Sequence, residues 1–352
     1  MKRIIICCDG TWNTPDKTEG NIPCDTNVVK IAQAVKPVSD EGIEQLTYYD
    51  PGVGTSGWIV KRWFDGATGS GISKNILQAY KYIIQNYNLG DELYFFGFSR
   101  GAFTVRSLAG LIRNSGILKS DEINLIKKAY RLYRSRSDAT HPRAKEATLF
   151  RKTFAVADII PIKFIGVWDT VGSLGNPLFI NNVFSKLAPS VLGNQFHDTD
   201  LSSTVSYAYQ ALAVDEKRLN FKPAVWRQQD TSGKQKLEQV WFIGVHSNIG
   251  GGFPHTGLSD IALNWLSSKA RDCNLDMTGI PLKENLNEVP EESWKGFYTL
   301  LPPYYRDIGV KENGNESIHN SVIEKYNNDV NYRPKNLKQY MDRLTSIVKT
   351  AE

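Results

Sequence analysis

Three side chains, each placed just after an apolar run, carry the chemistry that this sequence can do. Ser99 lies in GFSRG at 97–101, a G-x-S-x-G pentapeptide set between LYFF and an amphipathic stretch. In that setting the serine sits on a sharp strand-to-helix turn that lifts its hydroxyl clear of the sheet. Its flanking glycines avoid clashes with neighbouring backbone. A serine of ordinary pKa is a weak nucleophile and needs a base beside it. Among five histidines, His246 is the best placed, because it follows VWFIGV and precedes the glycine-rich SNIGGG. His319 and His255 are the runners-up. Asp169 follows IKFIGVW and is the partner expected for the imidazole Nδ1. Together these residues would transfer an acyl group through a serine ester.

Acyl transfer also needs donors for the developing oxyanion. The backbone N–H of Arg100, the residue after the serine, is expected to supply one. Gly10 and Thr11, in the DGT that closes the first apolar run, are expected to supply the second, with Asp9 holding their loop. Such donors contribute about 3 kcal/mol each to the transition state.

These residues must be positioned by strands and helices that the pattern also shows. Arg3–Cys8 is a continuous β-branched run, suited to a strand buried on both faces. Gln45–Tyr49, Leu93–Gly97, Ile162–Val167 and Val240–Val245 read as further strands. Helices are expected at 76–87, where Ile76, Leu77, Tyr80, Ile83, Ile84 and Tyr87 share a face, and at Ala102–Ile112. Others are expected from Ser120, over 203–214, and at Ile261–Leu266, started by Ser259 or Asp260. Strands alternating with helices predict a mostly parallel α/β sheet with helices on both faces, and ligands bind beyond the carboxyl ends of such strands. The chain order Ser, Asp, His is that of α/β-hydrolases. One domain is expected over 1–352, with its core at about 1–270 and loops and short helices over 271–352. The segments 174–202 and 275–315 hold apolar residues such as Phe179, Ile180, Trp294 and Leu301, which suit a lid over an apolar substrate or ordinary core beneath loops.

Composition bounds the alternatives. The chain has 352 residues, 41% hydrophobic and 22% charged, which excludes wholesale disorder. Forty-two basic against 37 acidic residues leave +5, too slight to argue for nucleic acid. The four cysteines form no CxxC pair, and Cys7 and Cys8 read as buried thiols. GATGSGISK at 66–74 departs from a phosphate loop, because Ile72 stands where lysine is required. Neither a metal nor another cofactor is expected. The apolar stretch of MKRIIICCDG ends at Asp9, too short for a signal peptide. The expected location is therefore cytoplasmic, with export by a machine that reads no cleavable signal as the alternative.

The motifs also carry a resemblance. CCDGTWN at 7–13, TNV at 26–28, GFSRGAFTVR at 97–106, GVWDTVGS at 166–173, ALAVDEKR at 211–218, VWFIGVHSNIGGGF at 240–253, GLSDIALNW at 257–265 and YRPKNL at 332–337 occur in order. By these the chain resembles a family of uncharacterised α/β-hydrolases of bacteria and fungi, one that includes the catalytic domains of type VI secretion phospholipase effectors. The resemblance implies a serine hydrolase with Ser99 as nucleophile, His246 as base and Asp169 as acid, acting on acyl esters or phospholipids. It further implies peripheral membrane contact and, for an effector, a secretion or immunity partner. Two positions depart from the family pattern: Asn248, where Asp is frequent and where the residue would support the site, and Gln210, where His is frequent. The competing expectations are a hydrolase of small soluble esters or amides and a catalytically impaired scaffold that binds a partner.

Overall fold

The computed structural model describes residues 1–10, 18–52, 70–135, 137–171, 200–229 and 233–351. Thr11, the 174–199 part of the expected lid and the first residues of 66–74 lie outside them.

Seven strands form the central sheet: β1 (Arg3–Cys8), β2 (Gln45–Asp50), β3 (Glu92–Phe98), β4 (Ile162–Trp168), β5 (Val205–Ala213), β6 (Lys236–Phe242) and β7 (Glu316–Ile318). Their spatial order is β7-β6-β5-β4-β3-β1-β2, and every neighbouring pair is parallel. The helices are α1 (Asn27–Ala34), α2 (Ser70–Asn86), α3 (Arg100–Ser115), α4 (Ile126–Arg134), α5 (Lys145–Phe154), α6 (His246–Gly250), α7 (Gly257–Asp272), α8 (Asn320–Asn328) and α9 (Lys335–Ala351).

The sheet is buried on both faces, and the alternation of side chains along each strand divides the core. In β1, Ile4, Ile6 and Cys8 join Leu93 and Phe95 beneath α2, α3 and α4, whereas Ile5 and Cys7 join Tyr94, Phe96 and Trp168 on the side of α1 and α7. Such fully buried aliphatic and aromatic side chains stabilise by about 1.5–3 kcal/mol each. This explains why the strands read as unbroken apolar runs rather than as alternating ones. The result is an α/β-hydrolase-like fold.

Two expectations require correction. The segment expected as a helix over 203–214 is β5, paired in register with β4 and β6. Val205, Ala208 and Leu212 mimic helical spacing, but the tyrosines and the position between two strands favour extended chain. The region beyond 270 also does more than pack on a finished core. It adds β7 to the sheet edge, ends in a 17-residue helix, and sends an arginine into the centre of the molecule.

Candidate active site

Ser99 stands between β3 and α3 with φ +57° and ψ −119°, a conformation rare for any residue but glycine. Holding it there costs about 1–3 kcal/mol. Packing imposes the turn. A Cβ on Gly97 would lie 2.7 Å from Ala102 N, and one on Gly101 would lie 2.0 Å from Cys8 O. The two glycines of GFSRG thus let the helix start press against the ends of β1 and β3. The Ser99 N–H continues the sheet by donating to Trp168 O at 3.1 Å. Its side chain does not cap α3, and no hydrogen bond joins Ser99 Oγ to His246 among the described residues. Such contacts are often long before substrate binds.

Asp169 follows β4 directly, is fully buried and also has a left-handed backbone, with φ +42°. Its Oδ2 lies 2.5 Å from His246 Nδ1. Its Oδ1 accepts from Ala213 N–H at 3.1 Å, which ties the carboxylate to the end of β5. The His246 ring is held from two sides, tilted on Phe98 at 4.6 Å between centroids and edge-on to Phe221 at 4.9 Å. It does not ride on a glycine loop as the sequence suggests. It opens the short helix α6, and its own N–H donates to Glu216 Oε2 at 3.2 Å.

Asn248 Oδ1 accepts from Val245 N–H at 3.1 Å and from Glu291 N–H at 3.2 Å, so it fixes the start of α6. Asp9 Oδ2 accepts from Thr26 at 2.5 Å and from Tyr49 at 3.0 Å. Asp9 Oδ1, however, takes the Gly10 N–H at 2.6 Å. That donor is engaged by its neighbour's carboxylate, which departs from the expected role of Gly10. Arg100 N–H opens α3, where the first N–H groups of a helix point out of its end. His319 instead caps α8, with Nδ1 accepting from Ser321 N–H at 3.3 Å while its ring stacks on Phe242. His255 is exposed. Gln210 is buried in a polar network, accepting from Thr170 and donating to Gln239 at 2.8 Å.

Sequence reasoning missed the charged groups behind the dyad. Arg306 is fully buried, with Nη1 2.6 Å from Asp169 Oδ1 and Nη2 3.0 Å from Oδ2. Buried Glu216 and half-buried Arg218 form a second pair, with Arg218 Nε and Nη2 each 2.8 Å from a carboxylate oxygen. Arg218 lies 3.5 Å over the Phe221 ring. Glu216 and Arg218 stand inside the ALAVDEKR motif, a signal that could have been followed. Nothing local marks Arg306.

Burial pushes the Asp169 carboxyl towards neutrality, but Arg306 and His246 outweigh it and hold it ionised, well below the usual carboxylate range. Burial lowers His246 below the ordinary imidazole value, against the pull of Asp169. The arrangement keeps a neutral imidazole against an ionised acid. Among the described residues no group of three His, Cys, Asp or Glu side chains could hold a metal, and no helix is long and apolar enough to cross a membrane. A cavity of about 830 Å³ runs along α3 from Phe103, four residues past Ser99, and is lined by Arg106, Arg113, Arg134, Arg143 and Trp226.

Ser99 after β3, and Asp169 after β4 hydrogen-bonded to His246 after β6, thus meet at the carboxyl ends of an α/β-hydrolase-like sheet. Residues 2–269 match the model of the T6SS phospholipase effector Tle1-like catalytic domain, and the chain belongs to that family. An uncharacterized protein of Saccharomyces cerevisiae is 28% identical over 240 residues, 63% of this chain and 32% of the yeast protein. The crystal structure of an uncharacterized protein from Pseudomonas aeruginosa overlaps 78% of this chain and 46% of its own, with 17% identity and a TM-score of 0.45. The Tle1 effector bound to the VgrG spike of the type 6 secretion system overlaps 71% and 51%, with 20% identity and a TM-score of 0.40. The chain thus spans about a third to a half of the length of these proteins.

Proposed function

We propose that this protein hydrolyses carboxylic esters of acyl lipids, as a phospholipase-type serine hydrolase. The observation that carries the reading is the bond between His246 Nδ1 and buried Asp169 at 2.5 Å, beside a serine held in the left-handed region at the elbow. In the first step Ser99 Oγ attacks the ester carbonyl, and its proton passes to His246 Nε2. Asp169 fixes the tautomer and stabilises the imidazolium. Arg100 N–H holds the oxyanion, and the alcohol leaves with the proton from His246. Water, deprotonated by the same imidazole, then cleaves the acyl-serine and releases the acid.

The family supports a phospholipid. Peripheral contact with a membrane follows from such a substrate. A spike or immunity partner, and export without a cleavable signal, belong to the effector reading of the family; otherwise the enzyme works in the cytoplasm.

One observation favours a second reading. The missing hydrogen bond between Ser99 and His246 is what a scaffold with an impaired triad would show. Intact mass after exposure to a fluorophosphonate decides between them. One adduct on wild type, absent in Ser99→Ala and at least 100-fold slower in His246→Ala and Asp169→Asn, is the result expected of the hydrolase. No adduct on folded wild type would mean a binding module.

A further inference from the structure

Arg306 reaches the site from beyond the residues that the family model matches, which end at 269. Its guanidinium is wholly buried and offers five donors. Four are used: two on Asp169, one on Ala213 O at 3.0 Å and one on Phe221 O at 2.5 Å. The fork therefore joins the acid after β4, the end of β5 and the segment carrying Phe221, whose ring packs on His246. The same Asp169 Oδ2 that meets Nη2 also meets the imidazole.

We propose that Arg306 is a positioning residue of this site, which fixes Asp169 at two points and offsets its charge, so that His246 remains a base into mildly acid solution. The inference rests on the reading of Ser99, Asp169 and His246 as a triad.

The physical argument concerns the balance of charge around the ring. A lone buried carboxylate at 2.5 Å would favour imidazolium strongly and make the base useless except at higher pH. A guanidinium on that carboxylate cancels much of this field. The other charged groups facing the imidazole among the described residues are Glu216 and Arg218, from the segment after β5, and they neutralise one another. Phe98 and Phe221 contribute no charge and keep water from the ring. Removing Arg306 would leave Asp169 uncompensated and make the surroundings of His246 more negative. Lysine could replace its charge but not its fork.

The test follows the rate of fluorophosphonate labelling of Ser99 between pH 4.5 and 9, in the full chain. For wild type, the acidic limb should fall below pH 6.5, the ordinary imidazole value. A limb at or above about pH 7 would overturn the proposal without any variant. In Arg306→Gln the limb should rise by about one unit, so that labelling at pH 4.5 drops about tenfold more than at pH 9. Arg306→Lys should restore the position of the limb while leaving the plateau slow. A plateau reduced equally at every pH in both variants would show a merely structural arginine. If Arg306→Gln does not fold, the wild-type limb and the lysine variant still decide. Absence of labelling in wild type would instead defeat the triad reading itself.

Discussion

Gly250 lies so close to the ring of Phe98 that a Cβ there would sit 2.1 Å from Cε2. The same ring supports His246 at 4.6 Å, so the last residue of α6 and the residue before Ser99 are fitted to one another. Gly250→Ala must shift α6 or Phe98. The expected outcome is a loss of about 1–3 kcal/mol in stability and at least a tenfold slower labelling of Ser99. Thermal melts together with labelling kinetics check both.

The strained turn sets stability against activity at one residue. Ser99→Gly relieves the left-handed backbone, whereas Ser99→Ala keeps the strain, and both remove the hydroxyl. The glycine variant should be more stable than the alanine variant by about 1 kcal/mol. Urea unfolding of the two variants measures this directly, and equal midpoints would show that the turn stores no strain.

Adjacent carboxyls after β5 should respond to pH in opposite senses. Burial raises Asp215 from 3.8 to about 6, although Gly244 N–H and Tyr332 OH stabilise its charge. Between those values the folded chain holds a proton that the unfolded chain has released, so stability falls as pH rises through them. Asp215→Asn keeps an acceptor for both donors and should stabilise the protein by about 1–2 kcal/mol at pH 7.5, with little effect at pH 4. Burial works against ionisation of Glu216 as well, but Arg218 prevails and lowers it from 4.5 to about 2. Its contribution is complete above pH 4.5 and is lost as pH falls towards 2. Glu216→Gln should therefore destabilise at pH 7 and cease to matter near pH 2. Melts across this range read each effect.

How much of this was legible in sequence depended on how local each signal is. The ends of β1, β3, β4 and β6 were visible because a strand buried on two faces is an unbroken apolar run, and Gly, Asp or His then stops it. Ser99, Asp169 and His246 inherit that clarity. In β5 the spacing of Val205, Ala208 and Leu212 follows the helical period, and pairing on both sides overrides it. Gly10 illustrates a different limit. Whether its N–H faces the cleft or the Asp9 carboxylate depends on a single torsion that no pattern reports. Arg306 meets Asp169 across 137 positions of chain, and a charged residue in a polar segment reads as surface until the path of the backbone is known.

The order in which the site is assembled has a bearing on synthesis. The serine, the acid and the imidazole all emerge from the ribosome before residue 250, but the guanidinium that balances them emerges more than fifty residues later. A nascent chain would therefore carry Ser99, Asp169 and His246 before the guanidinium that pairs with Asp169 has been made.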